Sequence, residues 1–204
     1  MSERPTNGRR LPVSFWISSV IFSAAVALLI AWFAVGRPAD DGTVKVQDLL
    51  DASAKGVTVV DGAQAAVGQP APKVTFDYLA DEHPGSLADF AGKPMVINFW
   101  GATCAPCVRE MPLLETVHQQ LGDRIAIVGM DVSDSVESGR KMVERTGVTY
   151  PSGRDPRAQA FSAFGGTVQP FTVFIRADGT VAYTHSGAFD DAAQLTSLIT
   201  EHLG

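Results

Sequence analysis

Cysteine is scarce in this 204-residue chain: Cys104 and Cys107 are the only two. With no third cysteine, neither can be part of a separate structural bridge, so an internal disulfide can only join this pair. No C-x-x-C-H run occurs, which excludes covalent haem attachment through that motif. A structural zinc site wants four ligands, usually a second cysteine pair or two closely spaced histidines. His83, His118, His185 and His202 offer no such spacing. Basic clusters are also missing outside the extreme N-terminus, and 16 Lys and Arg against 22 Asp and Glu leave a net charge of −6. That balance argues against nucleic acid as a partner. Internal repeats and low-complexity runs are absent as well.

Charge itself is absent from Leu11 to Gly36. Those 26 residues, rising about 1.5 Å each, can cross a hydrocarbon core of about 30 Å with some tilt. Trp16 and Trp32 stand near the two ends, where amphipathic aromatics anchor at the interface. Arg4, Arg9 and Arg10 precede the run, so the positive-inside rule keeps the N-terminus in the cytosol and sends the remainder across. A cleaved signal peptide ending near Ala34-Val35-Gly36 is the competing reading, but signal h-regions run only about 7–15 residues. The expected organisation is therefore a cytosolic tail (1–10), a transmembrane anchor (11–36), a juxtamembrane spacer (37–66) and a folded domain (67–204). A short helix over Val46–Ala54 and a short strand over Val57–Val60 are expected within the spacer.

The chemistry concentrates in Asn98–Pro112, NFWGATCAPCVREMP. Met95–Phe99 reads as a buried central strand, apolar on both faces apart from Asn98. A helix over about Ala105–Leu121 follows, with Val108, Met111, Leu114, Val117 and Leu121 on one stripe and a kink expected at Pro112. A C-x-x-C where a strand turns into a helix sets its first sulfur beside free backbone N–H groups and the positive end of the helix dipole. Both favour thiolate over thiol. Thiolate attacks disulfides, so Cys104 is the expected nucleophile, and Cys107, nearly one turn on, is placed to resolve a mixed disulfide.

Elsewhere the chain alternates strands and helices. Gly68–Pro72 marks the domain entrance, and Lys73–Tyr78 reads as an early strand. Arg124–Asp131 reads as a strand, Ser135–Thr146 as a helix stopped by Gly147, and Val148–Tyr150 as a short strand. Asp155-Pro156 supplies an N-cap and first-turn proline for a helix ending at Gly165. Phe171–Arg176 and Val181–His185 form a hairpin about Asp178-Gly179, and Asp190–Leu203 closes the chain as a helix. This order predicts a layered α/β sandwich.

The run FWGATCAPCVREMP, with VQPFTVFIRADGTV far downstream, resembles the membrane-anchored thioredoxin-like thiol:disulfide oxidoreductases of the TlpA/ResA type, from about Val67 to the C-terminus. The resemblance implies a three-layer thioredoxin-like sandwich whose extra helix and strand between Asp131 and Pro156 match the TlpA-type insertion. It implies a cis-proline at Pro170 beside the disulfide, with Gln169 next to the sulfurs. It also implies a proton-handling carboxylate at Glu110, since Asn98 fills the place where plain thioredoxins carry a buried aspartate. Trp100 and Pro106 are expected to shape the site, with a core aromatic the equal reading of Trp100, and Thr103 stands where the family usually has tryptophan; its hydroxyl is a candidate helix cap. The implied partners are protein disulfide or dithiol clients and a membrane electron donor, with cytochrome c maturation one possible pathway and no cofactor. Ala105 adds no charge between the sulfurs, so nothing there announces a strong oxidant. A copper-binding chaperone of the same fold is the rival reading, with His185 as distal ligand, although such proteins typically separate their cysteines by three residues. The Pro-x-x-x-Thr-x-x-Cys setting of a peroxiredoxin is absent around Cys104.

Overall fold

The computed structural model describes residues 58–59 and 65–204. The anchor expected over Leu11–Gly36, the spacer helix over Val46–Ala54 and the outer residues of the Val57–Val60 strand lie outside the described residues. Among the described residues no helix is long and apolar enough to cross a membrane.

The central layer is a five-stranded sheet. In chain order its strands are β4 (Met95–Trp100), β5 (Ala126–Val132), β6 (Ser152–Asp155), β7 (Phe171–Ile175) and β8 (Val181–Ser186), arranged β6-β5-β4-β7-β8. β4, β5 and β6 run parallel, with Trp100 opposite Asp131 and Asp131 opposite Arg154; β7 is antiparallel to β4, with Asn98 opposite Thr172. Every residue of β4, β5 and β7 is buried. Near-continuous apolar runs are what strands covered on both faces require.

On one face lie α1 (Ala105–Leu121), α2 (Val136–Thr146) and α4 (Ala192–Leu203). There Val96, Trp100 and Ile127 of the sheet pack against Met111, Leu114 and Val117 of α1, Met142 of α2, and Leu195 and Ile199 of α4. The opposite face is covered by the short helix α3 (Gln159–Ala163) and a small antiparallel sheet of β1 (Thr58–Val59), β2 (Val74–Asp77) and β3 (Pro84–Ser86). Val74 and Phe76 of that sheet join Ile97, Phe99, Val128, Met130 and Val173 in a second core. Two covers over one sheet give the three-layer thioredoxin-like sandwich. Because β1 pairs with β2, the domain takes in residues ahead of the expected boundary at Val67.

Two local expectations are corrected. Val148–Tyr150 forms no strand; the pairing with β5 begins after Pro151, which lacks an N–H, and runs over the polar residues Ser152–Asp155. Asp155 ends that strand, so α3 starts only at Gln159 and stops at Ala163. The Asp155 carboxylate still serves the helix start, accepting from the N–H groups of Gln159 at 2.7 Å and Phe161 at 2.8 Å. The helix expected over Ala105–Leu121 is α1, with Pro112 inside it.

β6 meets the outer sheet at a close approach. A Cβ added to Gly153 would fall 2.5 Å from Cδ2 of Phe76, whose ring is 2 % exposed. Gly153→Ala should therefore cost about 1–3 kcal/mol by overpacking, read as a lower denaturant midpoint with an unchanged m-value.

Candidate active site

β4 ends at Trp100, and α1 begins at Ala105 after four connecting residues. The connection is a tight turn in which the Cys104 N–H donates to the Gly101 carbonyl at 3.0 Å. Gly101 is required by what lies over it, since a Cβ there would sit 2.8 Å from Oε1 of Gln169. Gln169 is anchored in turn by its Nε2, which donates to the Trp100 carbonyl at 3.1 Å. The loop before β7 is thus fastened to the turn that delivers the cysteines.

Cys104 is the N-cap of α1, and its Sγ accepts the Cys107 N–H at 3.2 Å. The two sulfurs are joined as a disulfide. They are not equivalent: Cys107 is 0 % exposed whereas Cys104 is partly exposed. A sulfur that reaches solvent and accepts an N–H at a helix start meets both conditions for a nucleophile, access and a stabilised thiolate. The cap comes from Cys104 itself, so the capping role expected of Thr103 is corrected; Thr103 is exposed. Pro106 sits in the first turn, where a missing N–H breaks no helical bond.

One turn beyond Cys107, Glu110 is 0 % exposed. Asn98 Nδ2 donates to its Oε1 at 2.7 Å, and the Phe189 N–H donates to its Oε2 at 3.3 Å. Burial pushes the carboxyl up to about 7, against the pull of those two donors. A carboxyl poised near neutrality can take and return a proton. Asn98 is itself held, its Nδ2 also donating to Thr172 Oγ1 at 3.0 Å. Thr172 and the Phe189 amide were not legible as site groups, because nothing local marks them and only the β4–β7 register and the fold of the segment before α4 bring them to Glu110.

Pro170 is buried, its peptide bond to Gln169 is cis, and its carbonyl accepts the Gly187 N–H at 2.9 Å. Trp100 is 0 % exposed, belongs to the helical-side core that also holds Cys107, and anchors Gln169 through its carbonyl. His185 stacks on Phe189 with ring centroids 4.6 Å apart. Among the described residues no group of three or more His, Cys, Asp or Glu side chains is gathered as a metal ion would need.

The redoxin family model matches residues 66–199. The chain belongs to the redoxin family. Within it, the chain is 36 % identical over 120 residues to the thiol-disulfide oxidoreductase ResA of Geobacillus thermodenitrificans, covering 57 % of this chain and 67 % of that one. It is 32 % identical over 128 residues to the thiol:disulfide interchange protein DsbE of Xylella fastidiosa, covering 62 % and 64 %. Among solved structures, a DsbF homologue from Corynebacterium diphtheriae superposes with a TM-score of 0.60 at 31 % identity, over 72 % of this chain and 93 % of that one. A thiol:disulfide interchange protein of the thioredoxin family from Chlorobium tepidum gives a TM-score of 0.60 at 26 % identity, over 68 % and 99 %. This redoxin is a thiol-disulfide oxidoreductase of the ResA/DsbE type, carrying its two cysteines in a C-A-P-C.

Proposed function

We propose that the chain is a membrane-tethered reductase of disulfides in exported proteins, with Cys104, Cys107 and Glu110 as its catalytic residues. The observation that carries this reading is the asymmetry of the pair: one sulfur at the surface under an N–H, the other buried one turn from a carboxyl poised near neutrality. In the reduced protein the Cys104 thiolate attacks a client disulfide, forming a mixed disulfide and releasing one client sulfur as thiolate. Cys107 then gives its proton to Glu110 and attacks the Cys104 sulfur, releasing the second client thiolate and leaving the Cys104–Cys107 disulfide. Two electrons from a membrane donor return the pair to the dithiol.

Run backwards, the same steps oxidise a client, so direction rests on reduction potential. Reduction is what the resemblance to the TlpA/ResA type implies, and it is supported by the uncharged Ala105-Pro106 between the sulfurs, which adds nothing to hold a reduced thiolate as strong oxidants do. Tethering and an extracytoplasmic domain are supported by the charge-free run Leu11–Gly36 behind Arg4, Arg9 and Arg10. Gln169 and Pro170, at the start of β7, are proposed to border the groove a client segment enters. Equilibration with glutathione tests the direction. A potential more reducing than about −200 mV, together with turnover of a disulfide-bonded C-x-x-C-H peptide, fits a reductase in cytochrome c maturation; a value near −120 mV makes the chain an oxidase.

A further inference from the structure

Asp131, next to last in β5, is 2 % exposed, and neither of its carboxyl oxygens has a hydrogen-bond partner. An ionised carboxylate so placed is costly. Space is made for it nonetheless: Gly139 stands inside α2, where glycine costs about 1 kcal/mol relative to alanine, and a Cβ there would collide with Asp131 Oδ2. Three residues after Asp131, Asp134 accepts the Ala102 N–H on its Oδ2 at 2.5 Å. Ala102 lies inside the turn closed by the Cys104 N–H and the Gly101 carbonyl, so what holds Ala102 holds Cys104.

We propose that Asp134 and Asp131 are positioning residues for the redox pair: Asp134 pins the turn before Cys104 through the Ala102 N–H, and with Asp131, its buried neighbour, it sets the negative charge behind that turn. This rests on the thiol-exchange reading. The groups facing Asp131 are Asp134 in the following loop, Arg154 and Asp155 on β6, Trp100 on β4, and Gly139 from α2. Burial first, then Asp134 and Asp155, pushes the Asp131 carboxyl up to about 8, while Arg154 pulls it down. At neutral pH Asp131 is thus protonated and adds no charge beside Asp134. Its ionisation above pH 8 sets a second negative charge next to the carboxylate that holds the turn.

The test is the pH dependence of Cys104 alkylation by iodoacetamide in the reduced full chain, together with its potential against glutathione. Asp134→Asn keeps an acceptor for Ala102 but removes the charge, and should lower the Cys104 pKa by about half a unit or more. Asp131→Asn should leave the profile unchanged below pH 7 and erase the inflection near pH 8. Asp134→Ala, which removes acceptor and charge, should shift the potential further than Asp134→Asn. Unchanged Cys104 titration and potential in Asp134→Asn and Asp131→Asn, with only a lower melting temperature, would reduce the two acids to packing and overturn the proposal. A wild-type Cys104 no more reactive than a free thiol would instead sink the exchange reading itself.

Discussion

Cys107→Ala is expected to convert the protein into a covalent trap. The exposed Cys104 still attacks a client disulfide, but the buried sulfur that closes the ring is gone, so the mixed disulfide persists and turnover falls by about three orders of magnitude or more. The substitution removes one sulfur from a fully buried position, a loss the core tolerates at about 1–2 kcal/mol. Non-reducing gels should show high-mass adducts that vanish with thiol and are absent from Cys104→Ser, and mass spectrometry of those adducts names the clients. Adducts that survive in Cys104→Ser, or none in Cys107→Ala under the same oxidant, would reverse the assigned roles of the two sulfurs.

Glu110→Gln has the second-largest expected effect. If Glu110 receives the Cys107 proton, the resolution step loses its base, and general-base contributions of this kind are about 10²-fold or more. The wild-type rate of release from a trapped mixed disulfide should rise with pH through about 7 and then level, whereas the variant should show no inflection there. Stability carries an independent signature. The carboxyl is raised from 4.5 to about 7 on folding, so its stabilising contribution is complete below pH 4.5 and is lost as pH rises through 7. The span of the shift corresponds to about 3 kcal/mol. Between pH 4.5 and 8 the variant should therefore gain on the wild type by up to that amount in denaturant melts of the oxidised protein. Asp131 and Asp155 also titrate abnormally, but both are common to the two proteins and cancel in the difference. Identical release profiles and parallel stability curves would remove Glu110 from proton transfer.

How far the sequence could be read depended on whether the deciding contact was local. β4 is legible because a short, nearly apolar run bounded by Pro94 and Gly101 reads as a doubly covered strand, and α1 because its stripe of Met111, Leu114 and Val117 repeats at the helical period. The cysteine pair was legible because motif and setting coincide. β6 was missed since Ser152-Gly153-Arg154-Asp155 has no strand composition; it is a strand because β5 offers it an edge and Phe76 needs the space above Gly153. α3 was drawn too long because a carboxylate can cap a helix from four residues away as well as from one. The surroundings of Glu110 and the Asp134 contact to Ala102 are spread over dozens of residues of sequence, and no periodicity records them.

The polarity of the strands has a practical consequence. β4 and β5 point their C-terminal ends, and β7 its N-terminal end, at the disulfide, so every connection at the other rim is free of chemistry. The short turn Gly122–Arg124 between α1 and β5 lies there and is exposed. New termini made by circular permutation, or a fluorescent reporter spliced in at that turn, should leave exchange kinetics intact while giving a handle on the protein in its native compartment.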